Sequence, residues 1–287
     1  MKKGSISVLL LTMVLGVLPM IEKTNEYKQS YEVFQAGDIV RDCGLKNTAF
    51  QAGEKAVYTV YYKIGFVWIP AGEVTFSVEE DQDFYHLKAY GRTYNSYDRL
   101  FKVRDTYESK VDKKSLLPVV ATRDINQGSY SKTSEMTFDY EKRQVKAYHG
   151  RSADRMQTDF VDMDKCLWDV LSIVYYTRNL DVSRLRPRDV VELNVGYDEK
   201  VYDIGMRFLK REENYRIRRA GGNFDLLKFS PSVIAGGVFN EGDEMKVWVS
   251  DDKNRIPIQI ESPLRVGSVR VVLDSYENLK HPFTSKR

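Results

Sequence analysis

Residues 72 to 78 read Gly-Glu-Val-Thr-Phe-Ser-Val, and the polarity of the side chains alternates from one residue to the next. Every second residue from Val74 to Val78 is apolar, and Glu, Thr and Ser stand at the positions between them. Successive side chains of a β-strand point to opposite faces, so this alternation predicts a strand with one face on a core and the other in water.

Similar short runs follow one another along most of the chain. The run from Ala56 to Tyr62 is rich in Val and Tyr, which favour strands. Residues 65 to 70 are interpreted as its turn or its continuation before the strand just described. The spacing between runs favours antiparallel hairpins, because parallel crossovers need a dozen or more residues. Further strands are predicted at residues 85–94, 102–111, 119–125, 132–140, 144–149, 190–195, 200–209, 214–217, 224–229, 245–250, 256–261 and 268–273.

One segment departs from this pattern. Between Cys166 and Leu180 the apolar residues recur at steps of three and four, and Asp164 is placed to cap a helix. We therefore predict an amphipathic helix over residues 164–181 that covers one face of a sheet. The fold class is mainly β and antiparallel, either as one continuous curved sheet or as two fused β units divided near this helix.

The N-terminus has the order of a secretory signal. Met1-Lys2-Lys3 is positively charged, and an almost unbroken apolar run follows from Ile6 to Leu18. Even extended to Ile21, this run is shorter than the ~20 residues that cross a bilayer comfortably. We predict a cleaved signal peptide at 1–21, an N-terminal extension at 22–50 and a single large β-rich domain at 51–287. The expected location is the periplasm, with at most peripheral association with a membrane.

The chain has two cysteines, Cys43 and Cys166. In an exported protein this even number permits one disulfide that ties the N-terminal segment to the middle of the chain. Two buried free thiols are the alternative. A catalytic cysteine is less favoured, because none of the three histidines lies in a recognisable motif.

Charge and motifs exclude several classes of function. The 44 Lys and Arg residues nearly balance the 41 Asp and Glu residues and are interspersed with them, which disfavours nucleic acid as a partner. The sequence has no phosphate-binding loop, zinc-binding helix motif or nucleophile elbow. Asp251-Asp252-Lys253-Asn254 is interpreted as a hairpin turn rather than a calcium loop. We therefore expect no catalytic residues, no cofactor and no metal.

A dense group of aromatic side chains is the remaining candidate for a ligand site. Tyr61, Tyr62, Phe66 and Trp68 lie within eight residues of one another. Such side chains line hydrophobic grooves for acyl chains and other apolar ligands. They also fill cores where no ligand binds. The sequence leaves both interpretations open.

Several short motifs occur along the chain: Gly53-Glu54, residues 57–62, Ala71-Gly72-Glu73, residues 104–107, residues 169–172, Tyr175-Tyr176-Thr177-Arg178, residues 247–257 and residues 266–269. Together these motifs resemble the exported bacterial family DUF3108, a domain of unknown function common in Gram-negative envelopes. The resemblance implies a β-rich envelope protein whose antiparallel sheet curls into a barrel or half-barrel around a helix. Such a fold is similar to that of periplasmic lipoprotein carriers, which hold acyl chains in a concave sheet.

These observations lead to one leading hypothesis and two alternatives. The leading hypothesis is a non-enzymatic periplasmic envelope protein that binds a lipid-like or glycan envelope component or assists envelope assembly. The first alternative is a structural or protein-binding exported module. The second is a hydrolase of envelope polymer, which requires acidic residues that converge in a cleft.

Overall fold

The computed structural model describes residues 43–198, 200–232, 244–264 and 267–287. The predicted signal peptide at 1–21 and the following residues to 42 lie outside this part. The described residues form fourteen strands, one α-helix and three 3-10 helices. The strands are β1 (Lys55–Ile64), β2 (Val67–Glu80), β3 (Phe84–Thr93), β4 (Arg104–Asp112), β5 (Pro118–Gln127), β6 (Tyr130–Asp139), β7 (Gln144–Gly150), β8 (Gln157–Asp162), β9 (Val190–Tyr197), β10 (Lys200–Ile217), β11 (Gly222–Pro231), β12 (Lys246–Ser250), β13 (Pro257–Pro263) and β14 (Ser268–Glu277). The helix α1 is Ser172–Thr177, and the 3-10 helices are Asn95–Tyr97, Ala153–Arg155 and Arg218–Ala220.

All fourteen strands belong to one antiparallel sheet. Their order is β8-β7-β6-β5-β4-β3-β2-β1-β14-β13-β12-β11-β10-β9. Hairpins lead outward from β1 to one edge at β8, residues 163–189 cross to the other edge at β9, and hairpins lead back to β14 beside β1. The prediction of a mainly antiparallel β fold is therefore confirmed, and its two β-rich halves form one continuous sheet.

The sheet curls so that distant strands meet, although it does not close. Asp198, in the turn between β9 and β10, accepts hydrogen bonds from Arg123 of β5 and Lys132 of β6. Strand β9 also packs tightly on β6. A Cβ atom added to Gly196 of β9 would lie only 2.6 Å from the terminal methyl group of Met136 of β6. Contacts between strands so far apart in the sheet order require strong curvature, which gives a barrel-like shape.

Residues 163–189 pass through the interior of the curled sheet and are called the interior segment. The helix α1 within this segment is shorter than the helix predicted at residues 164–181. Trp168 forms a parallel bridge with Val195 of β9, which keeps the backbone before the helix extended. The Asp169 carboxylate then accepts hydrogen bonds from the backbone N–H groups of Leu171, at 2.8 Å, and Ser172, at 3.2 Å. Asp169 therefore supplies the N-terminal interaction expected of Asp164, and α1 has only six residues.

The strand predictions differ from the structure in two places. Residues 200–209 and 214–217 form one long strand, β10, whose pairing with β11 shifts register between Glu212 and Tyr215. Strand β8 was not predicted. It lies at an edge of the sheet, and its side chains are half-buried or exposed, so they lack the apolar alternation of a core strand.

The last residues of the predicted N-terminal extension contribute to the core. Phe50 is fully buried, and its ring lies 5.1 Å from that of Tyr85 and 5.0 Å from that of Tyr175, in edge-to-face contacts. The side-chain carbonyl oxygen of Asn47 accepts hydrogen bonds from the backbone N–H groups of Ala49 and Phe50. Residues 43–50 therefore pack against the sheet and the interior segment together.

Candidate functional site

The described residues contain an apolar groove between the interior segment and the β9–β13 half of the sheet. It has a volume of about 140 Å³. Its walls include Val174 of α1, Val195 of β9, Ile204 of β10, Phe229 of β11, Val247 of β12 and Ile260 of β13. Apolar cavities of roughly this size stay dry and accept small apolar ligands. The groove therefore suits a hydrocarbon group.

The strand pattern explains why these side chains share one wall. Val247 and Val249 stand two positions apart and line the groove, whereas Trp248 between them points to the other face. There the Trp248 indole N–H donates to the Glu212 carboxylate at 2.9 Å. The half-buried aliphatic side chains of β10 and β12 are thus directed inward without filling the space under α1.

A few polar groups border the groove near the end of α1. Thr177, Arg178 and Arg255 are among its lining residues. Arg255 donates to the backbone carbonyl of Leu180, and burial lowers the pKa of its guanidinium. A cavity of about 30 Å³ adjoins the groove at Val174 and Arg178. It extends the same interior space toward Tyr58 and Phe76.

Arg178 is fixed by a buried ion pair with Glu54. Its two terminal nitrogens lie 2.5 and 2.9 Å from the two carboxylate oxygens of Glu54, in a bidentate arrangement. Its Nε–H donates to the backbone carbonyl of Asn254 at 2.9 Å, and the Phe50 ring lies 5.6 Å from the guanidinium carbon. Burial by itself lowers the pKa of Arg178, but the charge and hydrogen bonds of Glu54, together with smaller effects of Tyr175 and Tyr58, outweigh burial and raise this pKa. Arg178 is therefore a charged, fully engaged part of the wall.

Residues 57–274 match the model of a family described as a protein of unknown function, DUF3108. The matched residues make up most of the chain. The chain belongs to the DUF3108 family. A comparison with curated proteins gives no match.

One solved structure supports the fold of this DUF3108 chain. A β-barrel-like protein of the domain of unknown function DUF1849 from Brucella abortus has a TM-score of 0.53 at 9% identity, covering 80% of this chain and 99% of that one. This likeness concerns the fold alone. An exported-type protein with a YmcC-like fold from Bacteroides fragilis has a TM-score of 0.28, 9% identity and coverages of 80% and 97%. A protein described as a lipoprotein from Parabacteroides distasonis has a TM-score of 0.31, 11% identity and coverages of 81% and 100%.

Three of the motifs quoted from the sequence meet at the buried ion pair. Glu54 follows Gly53 in the first motif, Arg178 ends the Tyr-Tyr-Thr-Arg motif, and Asn254 lies in the run at 247–257. The Asn254 side chain also donates to the carbonyl of His281 at 3.0 Å. Three motifs that are far apart in the DUF3108 sequence therefore fix one corner of the groove.

The structure joins Cys43 and Cys166 in a disulfide with a Cα–Cα distance of 5.3 Å. Cys166 lies at the start of the interior segment, and its carbonyl accepts a hydrogen bond from the Asn194 side chain of β9 at 3.0 Å. The bond therefore attaches residues 43–50 to the segment that carries α1.

The four aromatic residues proposed as a ligand groove lie on the β1–β2 hairpin. Tyr61, Tyr62 and Trp68 are half-buried, and Phe66 is 99% exposed. None of the four is a lining residue of the apolar groove between α1 and β9–β13. That groove was not predicted from the sequence, because its aliphatic lining alternates along strands as core residues do.

A second, polar cluster occupies the opposite half of the interior. Burial raises the pKa of Asp105 to about 7, even though Gln127 and the backbone N–H of Asn126 donate to its carboxylate. Burial by itself also raises the pKa of Asp198, but Arg123 and Lys132 outweigh this effect and hold it below the usual value. This cluster joins the β9–β10 turn to β5 and β6, which is a structural role.

The described part of the chain contains no group of three or more His, Cys, Asp or Glu side chains arranged to hold a metal ion. It also contains no helix that is long and apolar enough to span a membrane.

Proposed function

We propose that this DUF3108 protein is a non-enzymatic component of the cell envelope that binds an acyl-chain-like ligand in the apolar groove. The observation that carries the proposal is the 140 Å³ space with apolar walls on five strands and α1. An apolar lining favours a lipid-like component over a glycan, because buried hydroxyl groups require hydrogen-bond partners.

The proposed envelope location depends on two features of the chain. Residues 1–21 have the order of an export signal. The Cys43–Cys166 disulfide suits an oxidising compartment such as the periplasm. An exported protein with an apolar groove can hold an acyl chain away from water, and this chemistry requires no catalytic group.

Filling the groove is expected to weaken ligand binding. Val247→Trp and Ile204→Trp each place an indole where the groove has space, so the affinity for cis-parinaric acid, a fluorescent fatty acid, should fall at least about tenfold. Fluorescence titration of the full-length protein measures this affinity, and denaturant unfolding checks that each variant is folded.

The matched control is Val201→Trp on β10. Val201 is 40% exposed and is not a lining residue of the groove, so this variant should bind within about twofold of the original protein. If folded Val247→Trp and Ile204→Trp proteins bind the fatty acid as tightly as Val201→Trp does, the groove is not the binding site.

A further inference from the structure

The tip of the β1–β2 hairpin exposes a compact set of apolar side chains. Ile64 is 58% exposed, Phe66 99% and Val67 60%. Strand β1 ends at Ile64 and β2 begins at Val67, so Gly65 and Phe66 form a two-residue turn. Gly65 has a φ of 59°, which suits such a turn.

Neither the turn nor the core accounts for Phe66. Tight hairpin turns favour Gly, Asn and Asp, whose backbones or short polar side chains suit the required conformation. Phe66 is almost entirely in water, so its ring contributes nothing to packing. A large apolar side chain kept at the outermost position of a hairpin indicates that another apolar phase covers it.

Aromatic rings and cations follow directly behind this tip. The Trp68 ring lies 4.2 Å from the Arg270 guanidinium carbon and 5.8 Å from Lys63 Nζ. The Tyr61 ring lies 4.2 Å from the guanidinium carbon of Arg219. These rings and cations surround the base of the hairpin tip, and we call this group the collar: Tyr61, Lys63, Trp68, Arg219 and Arg270.

The charge of the collar is net positive. Glu261 accepts a hydrogen bond from Arg270 at 3.0 Å and balances that cation. No ion pair of Lys63 or Arg219 is present within the described ranges, so these two residues supply the excess charge. Arg218 beside them is also exposed.

The order of apolar tip, aromatic ring and cation matches the layers of a membrane surface. Apolar side chains enter the acyl region of the bilayer, Trp and Tyr lie at the level of the headgroups, and Lys and Arg bind the anionic phosphates. A protein partner would also cover the apolar tip, but it would not require this layered order. The chemistry therefore favours lipid as the occupant.

The hairpin tip lies at one end of the groove. Strands β1, β11 and β13 run in the same direction in the antiparallel order, and they end at Ile64, Pro231 and Pro263. Pro231 and Met245, at this end of β11 and just before β12, line the groove. Leu100, 82% exposed in the β3–β4 connection, is at the same end of the sheet.

We propose that residues 64–68 dock the protein reversibly on a bilayer that contains anionic lipids. Phe66 enters the acyl region, and Lys63 and Arg219 contact the headgroup phosphates. Docking in this orientation turns one end of the groove toward the membrane. This last consequence depends on the proposed function, whereas docking itself does not.

Sedimentation with vesicles tests the proposal. The full-length protein is expected to sediment with vesicles of phosphatidylethanolamine and phosphatidylglycerol more strongly than with vesicles of phosphatidylcholine alone. Phe66→Ser should lower the partition coefficient of the protein between vesicles and buffer at least about tenfold, because it removes the side chain that enters the acyl region. Lys63→Gln with Arg219→Gln should abolish the preference for anionic vesicles.

Phe160→Ser is the matched control, because Phe160 is 63% exposed on the edge strand β8, distant from the hairpin in the sheet. All variants keep the same N-terminal residues, so a difference between them belongs to the substituted side chain. Equal partition of Phe66→Ser and Phe160→Ser would overturn the proposal. Loss of vesicle binding together with Phe66-dependent self-association in ultracentrifugation would also overturn it and indicate a second copy of the chain.

Different variants test fatty-acid binding in the groove and docking on vesicles. Phe66→Ser should keep its affinity for cis-parinaric acid, and Val247→Trp should keep its vesicle binding. A protein that binds the fatty acid but not vesicles contradicts docking alone, and the reverse result contradicts the groove alone.

Discussion

Replacing Arg178 with Met in the full-length protein is expected to lower the free energy of unfolding by about 3 to 5 kcal/mol. The substitution keeps an apolar stem but leaves the Glu54 carboxylate, 2% exposed, without its bidentate partner. It also leaves the Asn254 and Ala49 carbonyl groups without the N–H groups that reach them. Guanidinium unfolding monitored by tryptophan fluorescence at neutral pH measures the change.

A double variant separates the charge effect from loss of packing. Glu54→Leu combined with Arg178→Met removes both charges, so it should be more stable than Arg178→Met alone. Lys88→Met is a surface control, because Lys88 and Glu108 pair at 2.6 Å with half of each side chain exposed, and it should cost less than about 1 kcal/mol. If Arg178→Met costs no more than Lys88→Met, the buried pair does not hold this corner of the groove.

Removal of the disulfide is the second large expected effect. Cys43 and Cys166 are 123 residues apart, and the chain-entropy model gives about 5 kcal/mol for a loop of that length. Native disulfides usually contribute about 2 to 5 kcal/mol to the free energy of unfolding. The double variant Cys43→Ser with Cys166→Ser should therefore unfold at a clearly lower temperature than the original protein. For a chain of this size the midpoint falls by roughly 2 to 4 °C per kcal/mol.

Reduction of the original protein provides the control for the serine variant. Thermal unfolding is followed by circular dichroism with and without dithiothreitol. The reductant should lower the midpoint of the original protein toward that of the double serine variant, which should itself be unaffected. A midpoint of the original protein that does not change on full reduction would contradict a stabilising disulfide.

Local patterns predicted the strands well. The alternation at residues 72–78 identified the centre of β2, which the structure extends to Val67–Glu80. Residues 166–171 show where local pattern fails. Their apolar spacing suits a helix, but Trp168 pairs with Val195 across the interior, and sequence spacing carries no information about a bridge between distant segments.

The candidate site was harder to predict than the fold. Val247 and Ile260 alternate with their neighbours as ordinary core residues do, and only the curl of the sheet leaves space beside them. The aromatic density at Tyr61–Trp68 was visible in the sequence, but it did not indicate that Phe66 would stand in water. Arg178 offered a usable signal, because it stands four positions after Val174, on the apolar face of the predicted helix, and a charge buried on that face requires a partner. The identity of that partner, Glu54, depends on the tertiary fold.

Photo-crosslinking with a fatty acid that carries a diazirine near the end of its chain tests whether an acyl chain binds in the apolar groove. The full-length protein is irradiated with the probe, digested, and analysed by mass spectrometry to locate the modified residues. Binding in the apolar groove predicts modification in residues 200–209 and 244–264, which carry Ile204, Val247 and Ile260. An excess of unlabelled fatty acid should suppress this modification. Saturable modification confined to the aromatic hairpin at residues 61–68, or no modification that unlabelled fatty acid suppresses, would contradict binding in the groove.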